Sequence, residues 1–84
     1  MAKYKKELKT FVKIMDGKLH ENLRKPHWRT LSNTQLLLLL DQEILELKEA
    51  IKNNYTISHI QRECADVANF AMMISDNTEI DIDG

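Results

Sequence analysis

Apolar residues recur at helical spacing in three stretches of the chain. Tyr4, Leu8, Phe11, Met15 and Leu19 follow one another at steps of four and three, which predicts an amphipathic helix over residues 3–24. It must close before Pro26, because that ring biases Lys25 away from helical conformations. Leu37, Leu40, Ile44, Leu47 and Ile51 form the second seam, predicting a helix over residues 33–53. Ser32 and Gln35 stand at capping-box spacing at its start, and Asn53-Asn54 at its end tolerate turn conformations. Ile60, Cys64, Val67, Ala71 and Ile74 form the third seam, predicting a helix over residues 58–76 opened by a second capping pair, Ser58 and Gln61. From Thr78 to Gly84, Ile80 and Ile82 alternate with Glu79, Asp81 and Asp83, so residues 78–84 are expected to be an acidic tail, extended or frayed. The whole, residues 1–84, reads as one all-α domain.

Beside each of the last two seams lies a second stripe. It runs Leu36, Leu39, Glu43, Glu46, Ala50 on one helix and His59, Glu63, Asp66, Phe70, Met73 on the next. Each stripe is interrupted by one pair of acids. An antiparallel hairpin turning between Asn54 and Tyr55 sets Glu43 opposite Asp66 and Glu46 opposite Glu63. The same register puts Leu39 against Phe70, Leu36 against Met73, and Ala50 against His59. Four carboxylates at one level repel and resist desolvation, so one of them takes up a proton or a cation enters. Oxygen donors without cysteine favour Mg²⁺ or Mn²⁺ over zinc. The plainer alternative is a pair of solvated acidic faces matched to Lys48 or to the lysines of the first helix.

Length and charge sharpen this picture. A chain of 84 residues and 9.8 kDa buries only about 60–65% of its unfolded surface, so self-association is expected. Residues 1–29 hold nine Lys/Arg against three Asp/Glu, and residues 30–84 hold three against ten. The acidic part opposes nucleic acid as a partner, whereas a site joining cations to phosphates uses both signs. The longest apolar run, Leu36 to Leu40, falls short of the roughly 20 residues that a bilayer requires, so no membrane partner is expected. No apolar stretch follows Lys3, Lys5 and Lys6, so no export signal is expected, and a reducing cytoplasm suits the single Cys64, read as a small buried hydrophobe. Met72 and Met73 read as core filler.

Lys18, Asn22 and Lys25 share one face of the first helix and, with Arg29, form the natural group for neutralising phosphates; solvation and pairing with the acidic half is the alternative. Trp28 suits either stacking on a base or plugging a helix contact. Asn69, one turn beyond Asp66, suits either a hydrogen bond to substrate or to a metal-held water, or plain solvation. His59 reads as an interface or surface residue, His27 as a group within reach of a phosphate, and His20 as solvated, none with a partner at metal-ligand spacing.

Glu43-Ile44-Leu45-Glu46 followed by Glu63-Cys64-Ala65-Asp66 resembles the ExxE and ExxD motifs of the MazG-like, all-α nucleoside triphosphate pyrophosphohydrolases. The likeness runs from about Phe11 to Asp76. Met15 to Trp28, with Lys18, Leu19, Asn22, Lys25 and Trp28, together with Ala65 to Ile74, looks closest to small phage and bacterial members described as dATP/dGTP diphosphohydrolases. The resemblance implies hydrolysis of a (deoxy)nucleoside triphosphate, purine in base, to monophosphate and pyrophosphate. It implies Mg²⁺ or Mn²⁺ on Glu43, Glu46, Glu63 and Asp66, and a homodimer or dimer of dimers built as a four-helix-bundle-type assembly in the cytoplasm, the host's for a phage-borne chain. Members commonly carry a second acid where this chain has Gln42. Glu46, with Glu43 beside it, is assigned the general-base role, although spacing alone does not separate it from the other acids. A non-catalytic nucleotide-binding module and a plain helical oligomerisation module are the competing readings.

Overall fold

The computed structural model describes residues 2–22 and 27–83, with side chains over 3–22 and 27–78. Its helices are α1 (Lys5–Glu21), α2 (Asn33–Lys52) and α3 (Ile57–Asp83), with 3-10 turns at Ala2–Tyr4 and Trp28–Thr30. Among the described residues there is no strand, and no helix is long and apolar enough to cross a membrane. The all-α reading therefore holds. Lys25 and Pro26 lie outside the described residues.

Local chemistry sets each boundary. Asn22 ends α1, its N–H donating to Leu19 O at 3.1 Å and its Nδ2 to Lys18 O at 3.0 Å. The capping box at Ser32 forms as its spacing predicts: Gln35 N–H donates to Ser32 Oγ at 3.1 Å, and Ser32 N–H donates to Gln35 Oε1 at 2.8 Å. After α2 the chain turns through Asn54 at φ 53°, a left-handed conformation that asparagine accepts at little cost. Tyr55 N–H closes the turn on Ala50 O at 3.0 Å. The expected second capping box at Ser58 is not the one used. Thr56 opens α3, its Oγ1 accepting the His59 N–H at 3.2 Å.

The expected end of the third helix is overturned. α3 continues as helix through Asp83, so the acidic segment is neither extended arm nor separate tail. No glycine or proline interrupts residues 57–83, and the connection before α2 holds α3 at Asp76 and Asn77. Asn77, 6% exposed, donates from Nδ2 to both Trp28 O and Leu31 O at 3.1 Å. Asp76 accepts from Trp28 Nε1 at 2.9 Å and from Arg29 Nε at 3.0 Å. Asn33 Nδ2 donates to Thr78 Oγ1 at 3.1 Å. Because these bonds are tertiary, local periodicity gave no sign of them.

α3 is the central helix, with α2 antiparallel along it and α1 against it. Leu36, Ala50 and Ala65 are fully buried. The second stripe of α2, the one that carries the acids, is thus pinned against the hairpin at Leu36 and Ala50, while Leu37 and Ile51 at the outer edge of the main seam stay 50% and 57% exposed. On α3 the deepest positions are Ala65 and Asn69 rather than the predicted seam, where Ala71 is exposed and Cys64 half-buried. A helix packed on two sides is apolar on most of its circumference, so spacing does not single out one face.

The exposed surface is 6621 Å², against about 5,200 Å² for a monomeric protein of 9.8 kDa. The radius of gyration is 14.0 Å, where about 12 Å is usual for this length. The excess reflects a slab of 42 × 32 × 21 Å whose exposed apolar residues include Tyr4, Leu8, Val12, Leu37, Leu38, Leu45 and Ile51.

Candidate functional site

Carboxylates from α2 and α3 meet where the hairpin register sets them opposite one another. Glu43, Glu63 and Asp66 each place one oxygen so that all three lie within 4.8 Å of one another. The turn at Asn54 fixes this level, since α2 stops at Lys52 and α3 starts at Ile57. Ala65, at this level, and Ala50, one turn beyond Glu46, are small and fully buried, compatible with close approach of the helix backbones. All three acids are half-buried. Glu43 Oε2 and Glu63 Oε2 are buried without a hydrogen-bond partner, an expensive state for a charged oxygen. Glu46 stands exposed beside Glu43, outside the triad.

The crowding shows in proton affinity. Burial, then a hydrogen bond shared with Glu46, then the charges of Asp66, Glu46 and Glu63 push the Glu43 carboxyl up to about 8 from an ordinary 4.5. Burial also raises Asp66, but the ammonium of Lys18 opposes the rise. Lys18 Nζ lies 3.3 Å from Asp66 Oδ2 and 3.8 Å from Glu21 Oε1. Lys18 is therefore the counter-ion that α1 delivers to the acid level.

The remaining sequence-selected residues divide. Lys18 reaches the cluster, whereas Asn22 spends its amide on closing α1, and Lys25 lies outside the described residues. Arg29 is paired with Asp76. Trp28 shares that aspartate and stacks tilted on His27, centroids 4.1 Å apart, a helix-contact role. Asp76 follows Asp66 by ten residues, about 15 Å along a helix, so Trp28 and Arg29 sit away from the acids. Asn69 is not a solvated asparagine: at 3% exposure its Nδ2 donates to Met15 O at 3.0 Å, stapling α1 to α3, and its Oδ1 is buried without a partner.

Two residues at this level escaped the sequence reading. His59 Nε2 lies 3.3 Å from Glu63 Oε1, one helical turn on, with its ring 4.7 Å from that of Tyr55. The four-residue step between His59 and Glu63 was the available signal, and the reading that no histidine had a suitably spaced partner missed it. Arg62 Nη2 donates to Glu21 Oε1 at 2.7 Å, joining α1 to α3, and this bond holds the Glu21 carboxyl below its ordinary range. An open cleft of about 330 Å³ lies here, lined by Lys18, Thr56, Ser58, His59, Arg62 and Glu63.

The donor set is made of oxygens, two of them orphaned, and so suits a hard divalent cation. Comparison with protein-family models, with curated proteins and with solved structures gives no match to this chain.

Proposed function

We propose that the chain is a metal-dependent nucleoside triphosphate pyrophosphohydrolase of MazG-like type, converting a (deoxy)nucleoside triphosphate to monophosphate and pyrophosphate. The observation that carries this reading is the convergence of Glu43, Glu63 and Asp66 within 4.8 Å, two of their oxygens buried with no partner. These acids would hold Mg²⁺ or Mn²⁺, with Glu46 at the open edge. Bound there, the ion supplies counter-charge to phosphate oxygens and acidity to water. Glu46, exposed and one turn from Glu43, would accept the proton of the attacking water. Lys18, 3.3 Å from Asp66, opposes the rise in that carboxyl's proton affinity and would offer positive charge to an incoming phosphate. The purine preference rests on the sequence resemblance, as does the cytoplasmic setting.

Self-association belongs to the same reading. The exposed Leu37, Leu45 and Ile51, together with surface in excess of that of a monomer of this size, support a homodimer or dimer of dimers that completes a helical bundle. A plain oligomerisation module would share those apolar residues, but it has no use for carboxylate oxygens buried without a partner.

The test is incubation of the chain with Mg²⁺ and a panel of nucleoside triphosphates, products being resolved by ion-exchange chromatography. Monophosphate and pyrophosphate in equal amounts are expected, and Glu43→Gln or Asp66→Asn should cut the rate at least about 100-fold with helical content unchanged. Hydrolysis that is unaffected in both variants, or absent for every triphosphate, would overturn the proposal.

A further inference from the structure

We infer that the open cleft between the last turn of α1 and the first turn of α3 is the anion site that receives the distal phosphates of the triphosphate and holds them as pyrophosphate. This assignment rests on the pyrophosphohydrolase reading above. The cleft brings together the ammonium of Lys18, the guanidinium of Arg62, the imidazole of His59 and the hydroxyls of Thr56 and Ser58, with Glu63 the only acid among the described residues that line it. At about 330 Å³ and open to solvent, it has room for an anion of the size of pyrophosphate. Glu63 belongs both to the cleft and to the acid triad. An anion in the cleft therefore lies next to a cation held by the triad.

Each cation facing the cleft has an acid partner, and those partners can be exchanged. Arg62 pairs with Glu21 while both side chains are nearly half exposed, 45% and 47%. Such an open pair is weak, whereas a guanidinium on a phosphate gains parallel, charge-assisted bonds. Lys18 is shared between Glu21 and Asp66, and a divalent cation on the triad would compete with it for Asp66, leaving the ammonium to the anion. His59 commits Nε2 to Glu63, which orients the ring and leaves the other nitrogen open. The first turn of α3 contains no acid, so the positive end of a 27-residue helix adds to the field without internal compensation. The acids that bear on the cleft are Glu63 in its lining and Glu21 and Asp66 as partners of its cations.

Titration calorimetry on the full chain tests this with two probes: Mn²⁺ alone, and inorganic pyrophosphate with Mg²⁺. The expected result is that Arg62→Ala and Ser58→Ala leave Mn²⁺ affinity unchanged, while Arg62→Ala weakens pyrophosphate about tenfold or more. Glu21→Gln, which releases Arg62 without removing it, should bind pyrophosphate at least as tightly as the parent chain. If Arg62 served only to tie α1 to α3, both variants would weaken pyrophosphate alike, and the inference would be overturned. It would equally be overturned if the chain took up Mn²⁺ but no pyrophosphate, or if Lys9→Ala, on exposed α1 surface, weakened pyrophosphate as much as Arg62→Ala. A chain that binds no Mn²⁺ but takes up pyrophosphate in an Arg62-dependent way would refute the metal-dependent reading and support the cleft.

Discussion

Glu43 makes the stability of the chain fall as pH rises, in a range where most proteins are indifferent. Its carboxyl stands at about 8 in the fold against 4.5 as the ordinary value, so the folded state binds a proton that the unfolded state has already released. The stabilising effect is complete below about pH 4.5 and is lost as pH climbs through about 8. A difference of this size corresponds to about 5 kcal/mol at full value. With Glu46 open to water beside it, solvent screening reduces the expected loss to about 1–2 kcal/mol. For a domain of this length that lowers the melting temperature by about 5–15 °C. Asp66, also raised by burial, acts in the same direction. Glu21 and Asp76, both lowered by their arginine partners, contribute stability above their ordinary values and lose it only as pH falls into the acid range, below this window. The assay is calorimetric melting at one protein concentration between about pH 6 and pH 9, in chelator and then in Mg²⁺. Glu43→Gln should flatten the profile and melt higher than the parent chain at the alkaline end. Added Mg²⁺ should stabilise the parent more at the alkaline end than at the acid end, since the ligands must first lose their protons. A parent profile that is flat or rises with pH, or a Glu43→Gln profile that tracks the parent, would refute the reasoning.

Two further outcomes follow from the packing. Asn77→Ala leaves Trp28 O and Leu31 O without their shared donor, so it should cost about 1–3 kcal/mol in thermal or denaturant melts and speed amide exchange in the last turns of α3. Light scattering at micromolar concentration should report a dimer or tetramer, and Leu45→Glu paired with Ile51→Glu, both at exposed apolar positions, should shift it to monomer; a monomeric parent chain would overturn the assembly.

What the sequence could reveal depends on how local its cause was. The Ser32–Gln35 box and the turn at Asn54 arise within a few residues, and both were readable; the turn in turn fixed the register that sets Glu43 facing Asp66. The bonds that hold α3 at Asn77 run to backbone oxygens 46 and 49 residues earlier, so no window along the chain contained them. The choice of face failed for a related reason. Each of the last two helices carries two adjacent apolar stripes, and only the presence of α1 on one side of α3 decides that Ala65 and Asn69 lie deepest. The grouping of Lys18, Asn22 and Arg29 assumed that a shared helix face means a shared site. Asn22 is instead taken by the helix end and Arg29 by Asp76, while Arg62, across the interface, was invisible to any argument confined to α1.

The placement of Lys18 links the acid cluster to the rest of the molecule. Lys18 and Arg62 bear on Asp66, whereas the charges that bear on Glu43 are those of Asp66, Glu46 and Glu63. Asp66, touching Lys18, has its rise opposed, whereas Glu43, on the far helix, goes to about 8. The fold must carry this imbalance with little in reserve, since among the described residues Leu36 is the only large side chain that is fully buried. A proton on Glu43, the proposed divalent cation among the oxygens and the proposed second copy over the exposed leucines would each compensate this separately. With the proposed cation and the proposed second copy bound, each should depend on the others: a cation should expel the proton from Glu43, and the assembled form should hold the cation more tightly than the separated chain.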